Sequence, residues 1–157
     1  NPNNKSRFRF GEVRFIGGIA VSITLTVPVS DATAIWTITD APDRWADIQN
    51  SLGGLLITMG KLTQQPSLFD KAVTVFLKIA QVRSRTKAPL AWATTLANIG
   101  AALKEKGVAA SNAECLKQAA QAFDEACQVF IELNLDSNAE MAASQRESIL
   151  KLLEEHG

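Results

Sequence analysis

The chain matches itself when displaced by 47 residues: segment 41–60, APDRWADIQNSLGGLLITMG, aligns with 88–107, APLAWATTLANIGAALKEKG. Ala41, Pro42, Trp45, Ala46, Gly53, Leu56 and Gly60 recur as Ala88, Pro89, Trp92, Ala93, Gly100, Leu103 and Gly107. The same displacement continues without a gap through Ala72 and Ala119, Phe76 and Phe123, Gln81 and Gln128, and Val82 and Val129. The matches are weighted toward Trp, Gly, Pro and Phe, which rarely coincide by chance. A fold for this chain must therefore be one that can be built twice from similar pieces.

Each piece reads as two helices. Trp45, Ile48, Leu52, Leu55, Leu56 and Met59 recur at steps of three and four, which gathers them on one helical face and predicts that this face is core. Pro42 suits a first helical turn, where its missing N–H costs nothing, and Gly60 reads as a left-handed stop. Leu68, Ala72, Val75, Phe76, Ile79 and Val82 line a second helix starting at Pro66 or Ser67. The RSRTK run closes it with cations near its carbonyl end. In the second unit, Trp92, Leu96, Ile99 and Leu103 line one helix, and Leu116, Ala119, Ala120, Phe123, Cys127 and Phe130 the next. A last helix follows NLDSN, with Ala142, Ile149, Leu152 and Leu153 on one side. Its polar remainder suits the end of an array. Gly53, Gly100, Ala72 and Ala119 are read as small residues where helices approach closely, with Phe76 and Phe123 filling the space between hairpins.

Composition narrows the chemistry. Sixteen basic residues balance sixteen acidic ones, and four of the basic ones (Lys5, Arg7, Arg9, Arg14) fall in the first fourteen positions. The remaining body lacks the basic footprint that nucleic-acid binding requires, so nucleic acid is not an expected partner. His156 is the sole histidine, which removes the commonest general base and zinc ligand from most of the chain. Cys115 and Cys127 on one helix would lie roughly 18 Å apart along its axis, beyond the ~7 Å a disulfide spans. They read as apolar core residues. No cofactor or metal is implied.

Residues 1–34 have a different character. The basic segment KSRFRFGEVR precedes fifteen uncharged residues, Phe15 to Val29, and then SDATA, where Ala32 and Ala34 flank Thr33 in a small-x-small pattern. This is the layout of a secretory signal. Cleavage near Ala34 would release an exported domain, 35–157, acting in the periplasm or outside the cell and meeting the membrane only in transit. A segment left in place would make the protein cytoplasmic or membrane-anchored. The competing reading is a buried strand, because IAVSITLTV is rich in β-branched residues.

GGLLITMGKLT, residues 53–63, hints at a phosphate-binding loop. That loop needs four residues between its glycines and Ser or Thr directly after Lys. Here five residues separate Gly54 from Gly60, and Leu62 follows Lys61. Under the displacement by 47 the glycines recur but Lys61 becomes Val108. A small nucleotide-binding enzyme, or an enzyme's regulatory subunit, is the alternative; a non-catalytic binding protein is the expectation.

The motif of Leu or Ile before Gly, a large residue three further on, and then Ala, Phe and a small residue in the second helix occurs twice. It reads Leu52-Gly53…Leu56…Ala72…Phe76…Ile79, and Ile99-Gly100…Leu103…Ala119…Phe123…Ala126. In this the chain resembles the tetratricopeptide repeat family, in a long-repeat bacterial variety whose unit is 47 residues rather than the family's usual 34. The resemblance covers 41 to about 134. It implies an all-α fold in which antiparallel helical hairpins, units 41–87 and 88–134, stack as a short right-handed α-solenoid closed by a capping helix at about 137–155. It also implies a scaffold that binds a protein or peptide on the concave face lined by the first helix of each hairpin. Asn50, Asn98, Lys104 and Glu105 are the polar residues expected nearest that surface. The family's carboxylate clamp is not matched: Asn50, Gly54, Ala97, Asn98 and Ala101 stand at its positions, without its basic partners. With only two hairpins and a cap, an apolar flank is left over, which self-association or docking on a larger protein would cover.

Overall fold

The computed structural model describes residues 41–155 together with two short strands. The strands, β1 (Val13–Arg14) and β2 (Ala20–Val21), pair antiparallel with Val13 opposite Val21 and Arg14 opposite Ala20. They belong to a compact unit, Asn1–Trp36, distinct from a second unit, Thr37–Gly157. The rest of the expected export signal, its cleavage site and His156 lie outside the described residues. Among the described residues no helix is long and apolar enough to cross a membrane.

The second unit is all-helical: α1 (Pro42–Thr63), α2 (Pro66–Val82), α3 (Pro89–Ala109), α4 (Ala113–Glu132) and α5 (Asp136–Glu155). The first helical residues of α1, α3 and α5 follow one another at intervals of 47, as do those of α2 and α4. Proline opens α1, α2 and α3, where no backbone donor is lost. Asn112 caps α4, its side chain accepting the Cys115 N–H at 3.0 Å.

Gly60 is not the residue that stops α1. The helix runs on to Thr63, and Gln64 takes the left-handed conformation at φ 52°. The next N–H, that of Gln65, then turns back to the Gly60 carbonyl at 3.1 Å. Ser111 repeats this after α3, with Asn112 N–H on the Gly107 carbonyl at 2.8 Å. Asn134 does so after α4, with Leu135 N–H on the Phe130 carbonyl at 2.9 Å. These closures satisfy carbonyls that the helix ends leave open. The reason for glycine at 60 and 107 is lateral. A Cβ would lie 2.6 Å from the Phe69 ring at Gly60 and 2.8 Å from the Leu116 side chain at Gly107.

Gly53 and Gly100 follow the same logic as expected: the rings of Phe76 and Phe123 occupy the space that a Cβ would need. Each helix packs chiefly on its neighbours in sequence, with α1 also touching α3. One core cluster joins Ala46, Ala72, Phe76 and Ile79 to Ile99 and Ala102 of α3. The other joins α3, α4 and α5 through Ala93, Leu116, Phe123, Val129, Phe130 and Ile149. Phe76 thus fills both its own hairpin and the junction with the next.

α3 and α5 use equivalent faces, 47 residues apart, to meet the helix before each of them. On α3 that face is Thr95, Ile99, Ala102 and Lys106; the first three are buried, and Lys106 Nζ reaches Asp70 Oδ1 of α2 at 2.7 Å. On α5 the face displaced by 47 is Ala142, Arg146 and Ile149. Ala142 and Ile149 are fully buried, and Arg146 Nε reaches Asp124 Oδ1 of α4 at 3.1 Å. On α1 the matching residues are Ile48, Leu52, Leu55 and Met59. Periodicity assigned them to the core, but Ile48 is 52% exposed and Leu52 41%. Among the described residues no helix precedes α1 to cover them.

The RSRTK run closes α2 as expected, with Arg83 as its C-cap residue, but its cationic groups are drawn to other helices. None lies within the last turn of α2. Arg83 instead reaches Asp47 of α1, and Arg85 reaches Glu132 of α4 while lying 6.0 Å from the Trp92 ring centre. Carboxylates on other helices offer full charges at short range, and these outcompete the partial charge of a helix end. Cys115 and Cys127 are both on α4 and both free thiols, the first buried and the second half-buried.

Candidate functional site

The four polar residues singled out from the sequence all lie on α1 and α3, and all four are engaged between first helices. Asn98 Nδ2 of α3 donates to Asn50 Oδ1 of α1 at 2.7 Å, in a half-buried setting. Glu105, two turns along α3, accepts from Lys61 Nζ of α1 at 3.0 Å. Lys104 sits one residue back and therefore about 100° around the helix. It points the other way, toward α5, where it donates to Gln145 Oε1 at 3.0 Å and meets Ser148 Oγ at 3.5 Å.

The result is a polar row running from α1 across α3 to α5. Two of its links share a register: Lys61 to Glu105 and Lys104 to Ser148 are both steps of 44 residues. The row ties successive first helices together at the polar level, beside the apolar packing with second helices. Lys61 and Glu105 also edge a surface depression of about 410 Å³, with Gly60, Phe69 and Val108. A second depression, about 360 Å³, lies along α5 by Ser144, Glu147, Ser148 and Lys151.

Sequence reasoning missed Lys61, Gln145 and Ser148. Lys61 has no counterpart under the displacement by 47, where Val108 stands, and α5 reads from the sequence as a cap. The available signal was the displacement by 47, which carries Asn98 onto Gln145 and the start of α3 onto the start of α5.

Chemically, the row offers hydrogen bonds. In the Asn50–Asn98 pair one N–H and one carbonyl oxygen are used. Asn50 Nδ2 and Asn98 Oδ1 keep bonding capacity, so the pair presents a donor beside an acceptor. A peptide unit has the complementary acceptor and donor. The ion pair of Lys61 and Glu105 is solvated, with side chains 56% and 27% exposed, and contributes little to stability. Among the described residues the one shifted titration is outside the row: the hydrogen bond to Asp70 holds the Lys106 ammonium above its ordinary value of 10.5. Among the described residues no group of three or more His, Cys, Asp or Glu side chains converges as a metal site would require.

Trp45 and Trp92 are half-buried, the first against the α1–α3 core and the second against the α3–α5 core. Both serve packing, and Trp92 also receives Arg85 on its ring. No family model matches the chain, and comparison with curated proteins and with solved structures finds no significant match.

Proposed function

We propose that residues 41–155 form a short tetratricopeptide-like solenoid that acts as a non-catalytic scaffold, binding an extended protein or peptide segment across its first helices. The observation that carries this reading is the Asn50–Asn98 pair, whose free donor and acceptor match the edge of a peptide backbone. The continuation of the row through Lys104, Gln145 and Ser148 supports a ligand that crosses helices rather than one held in a closed cavity. The common spacing of α1, α3 and α5 supports a solenoid in which α5 is the first helix of a third, unfinished unit. We read the function as extracytoplasmic, on the strength of the signal-like layout of residues 1–34.

Selection of peptides from a displayed library on the full chain tests the reading. A selected peptide is expected to lose about tenfold in affinity, roughly 1.4 kcal/mol, on Asn98→Ala or Asn50→Ala. It is expected to be indifferent to Gln121→Ala on the exposed side of α4. Peptides that bind equally well to both asparagine variants would remove the row as the binding surface.

A further inference from the structure

The apolar stripe of α1 extends beyond the residues already named. Ile48, Leu52, Leu55, Met59 and Leu62 follow one another at steps of four, three, four and three, the spacing of a helix-on-helix seam. Ile48, Leu52 and Leu62 are 52%, 41% and 73% exposed, while Leu55 and Met59 are half-buried. Scattered exposed leucines need no explanation, but five apolar residues in register over fifteen positions of one helix do.

The charges on the equivalent faces identify what fits. The helices seated on α3 and α5 bring carboxylates, Asp70 and Asp124, which meet Lys106 and Arg146. At those two register positions α1 carries Met59 and Leu52. A helix of the α2 or α4 type would therefore bring its acid to α1 with no cation to receive it, and the ion pair that accompanies the other two junctions would be missing. The complementary surface is one that is equally apolar and free of charge. The α1 stripe itself is such a surface.

We propose that α1 is a self-association helix, its stripe packing against the same stripe of a second copy in an antiparallel, two-fold arrangement. An isologous contact of this kind needs a self-complementary patch, and a stripe without charge meets itself without repulsion. The antiparallel sense keeps Arg44, one turn before Ile48, at the opposite end of the contact from its counterpart. It also opposes the two helix dipoles favourably. Leu55 stands at the middle of the stripe and so faces its own counterpart across the axis. The contact is independent of whatever binds the polar row.

Sedimentation of the full chain across the micromolar range tests this. A monomer–dimer equilibrium is expected. Leu52→Asp is expected to raise the dimer dissociation constant at least about tenfold, with an unchanged circular-dichroism spectrum. Leu150→Asp, on an exposed apolar residue of α5, should leave the equilibrium alone. In a second measurement, Leu55→Cys should form an intermolecular disulfide on mild oxidation, and Leu150→Cys should not. A monomer at every concentration overturns the proposal, whether a cysteine at Ile48→Cys reacts freely or is protected from within the chain. So does a dimer that ignores Leu52→Asp or fails to cross-link through Leu55→Cys.

Discussion

The ring of Phe76 lies where a side chain on Gly53 would have to go, and Phe123 stands in the same relation to Gly100, 47 residues on in both partners. The next residue, Gly54, has nothing within 4 Å of an added Cβ. The two glycines therefore respond oppositely to alanine. Gly54→Ala is expected to stabilise by about 0.5–1 kcal/mol through helix propensity alone. Gly53→Ala forces the ring aside and is expected to cost about 1–2 kcal/mol net of that gain. Phe76→Ala, which empties the junction, is expected to cost about 3–5 kcal/mol. Urea denaturation followed by circular dichroism ranks the three variants; equal effects at positions 53 and 54 would contradict the packing.

The Asn50–Asn98 bond is a stability contact as well as part of the proposed binding row. Removing either amide leaves its partner half-buried and unpaired, so each single alanine variant is expected to lose about 1 kcal/mol. The double variant should lose less than the sum of the singles, with a coupling of about 0.5–1 kcal/mol. Strict additivity in the double-mutant cycle would mean that the two amides do not act on each other in solution.

The Lys106–Asp70 pair predicts a pH dependence with a definite sign. The Lys106 pKa is raised in the folded chain, chiefly by the hydrogen bond to Asp70. A raised ammonium contributes stability that is fully present below its unfolded value near 10.5 and is lost as pH rises through the folded value. Lys106→Met, which copies the residue found at the matching place on α1, should remove this dependence. Melting temperatures from pH 8 to pH 11.5 are expected to show the wild type's advantage over Lys106→Met shrinking at the alkaline end. Salt should shrink it as well, because the pair is partly exposed.

Much of the helical fold could be read from the chain because the relevant signals are local or periodic. Pro42 and Pro89 mark helix starts through backbone chemistry alone, and Gly53 with Phe76 recurs as a matched pair. The misreadings share a cause. Ile48 and Leu52 have the periodicity of core residues, yet burial depends on which helix lies opposite, and periodicity carries no information about that. Gly60 reads as a helix stop because glycine suits the left-handed conformation; Gln64 supplies that conformation, and the glycine answers instead to Phe69 of α2. Arg83 and Arg85 look like helix-end cations until the carboxylates of α1 and α4 are brought alongside. Of the site, Asn50, Asn98, Lys104 and Glu105 were visible as polar residues on first helices. Their partners Lys61, Gln145 and Ser148 emerge only once the three helices stand next to one another.

Because each helix leans chiefly on the ones adjacent in sequence, cohesion is passed along the chain link by link rather than pooled in one centre. α2, α3 and α4 are held from both sides, α1 and α5 each chiefly from one, and the α2–α3 junction is the thinnest of those between successive helices. Loss of structure therefore begins as fraying at α1 and α2 and travels inward, leaving α3, α4 and α5 as the segment that lets go last.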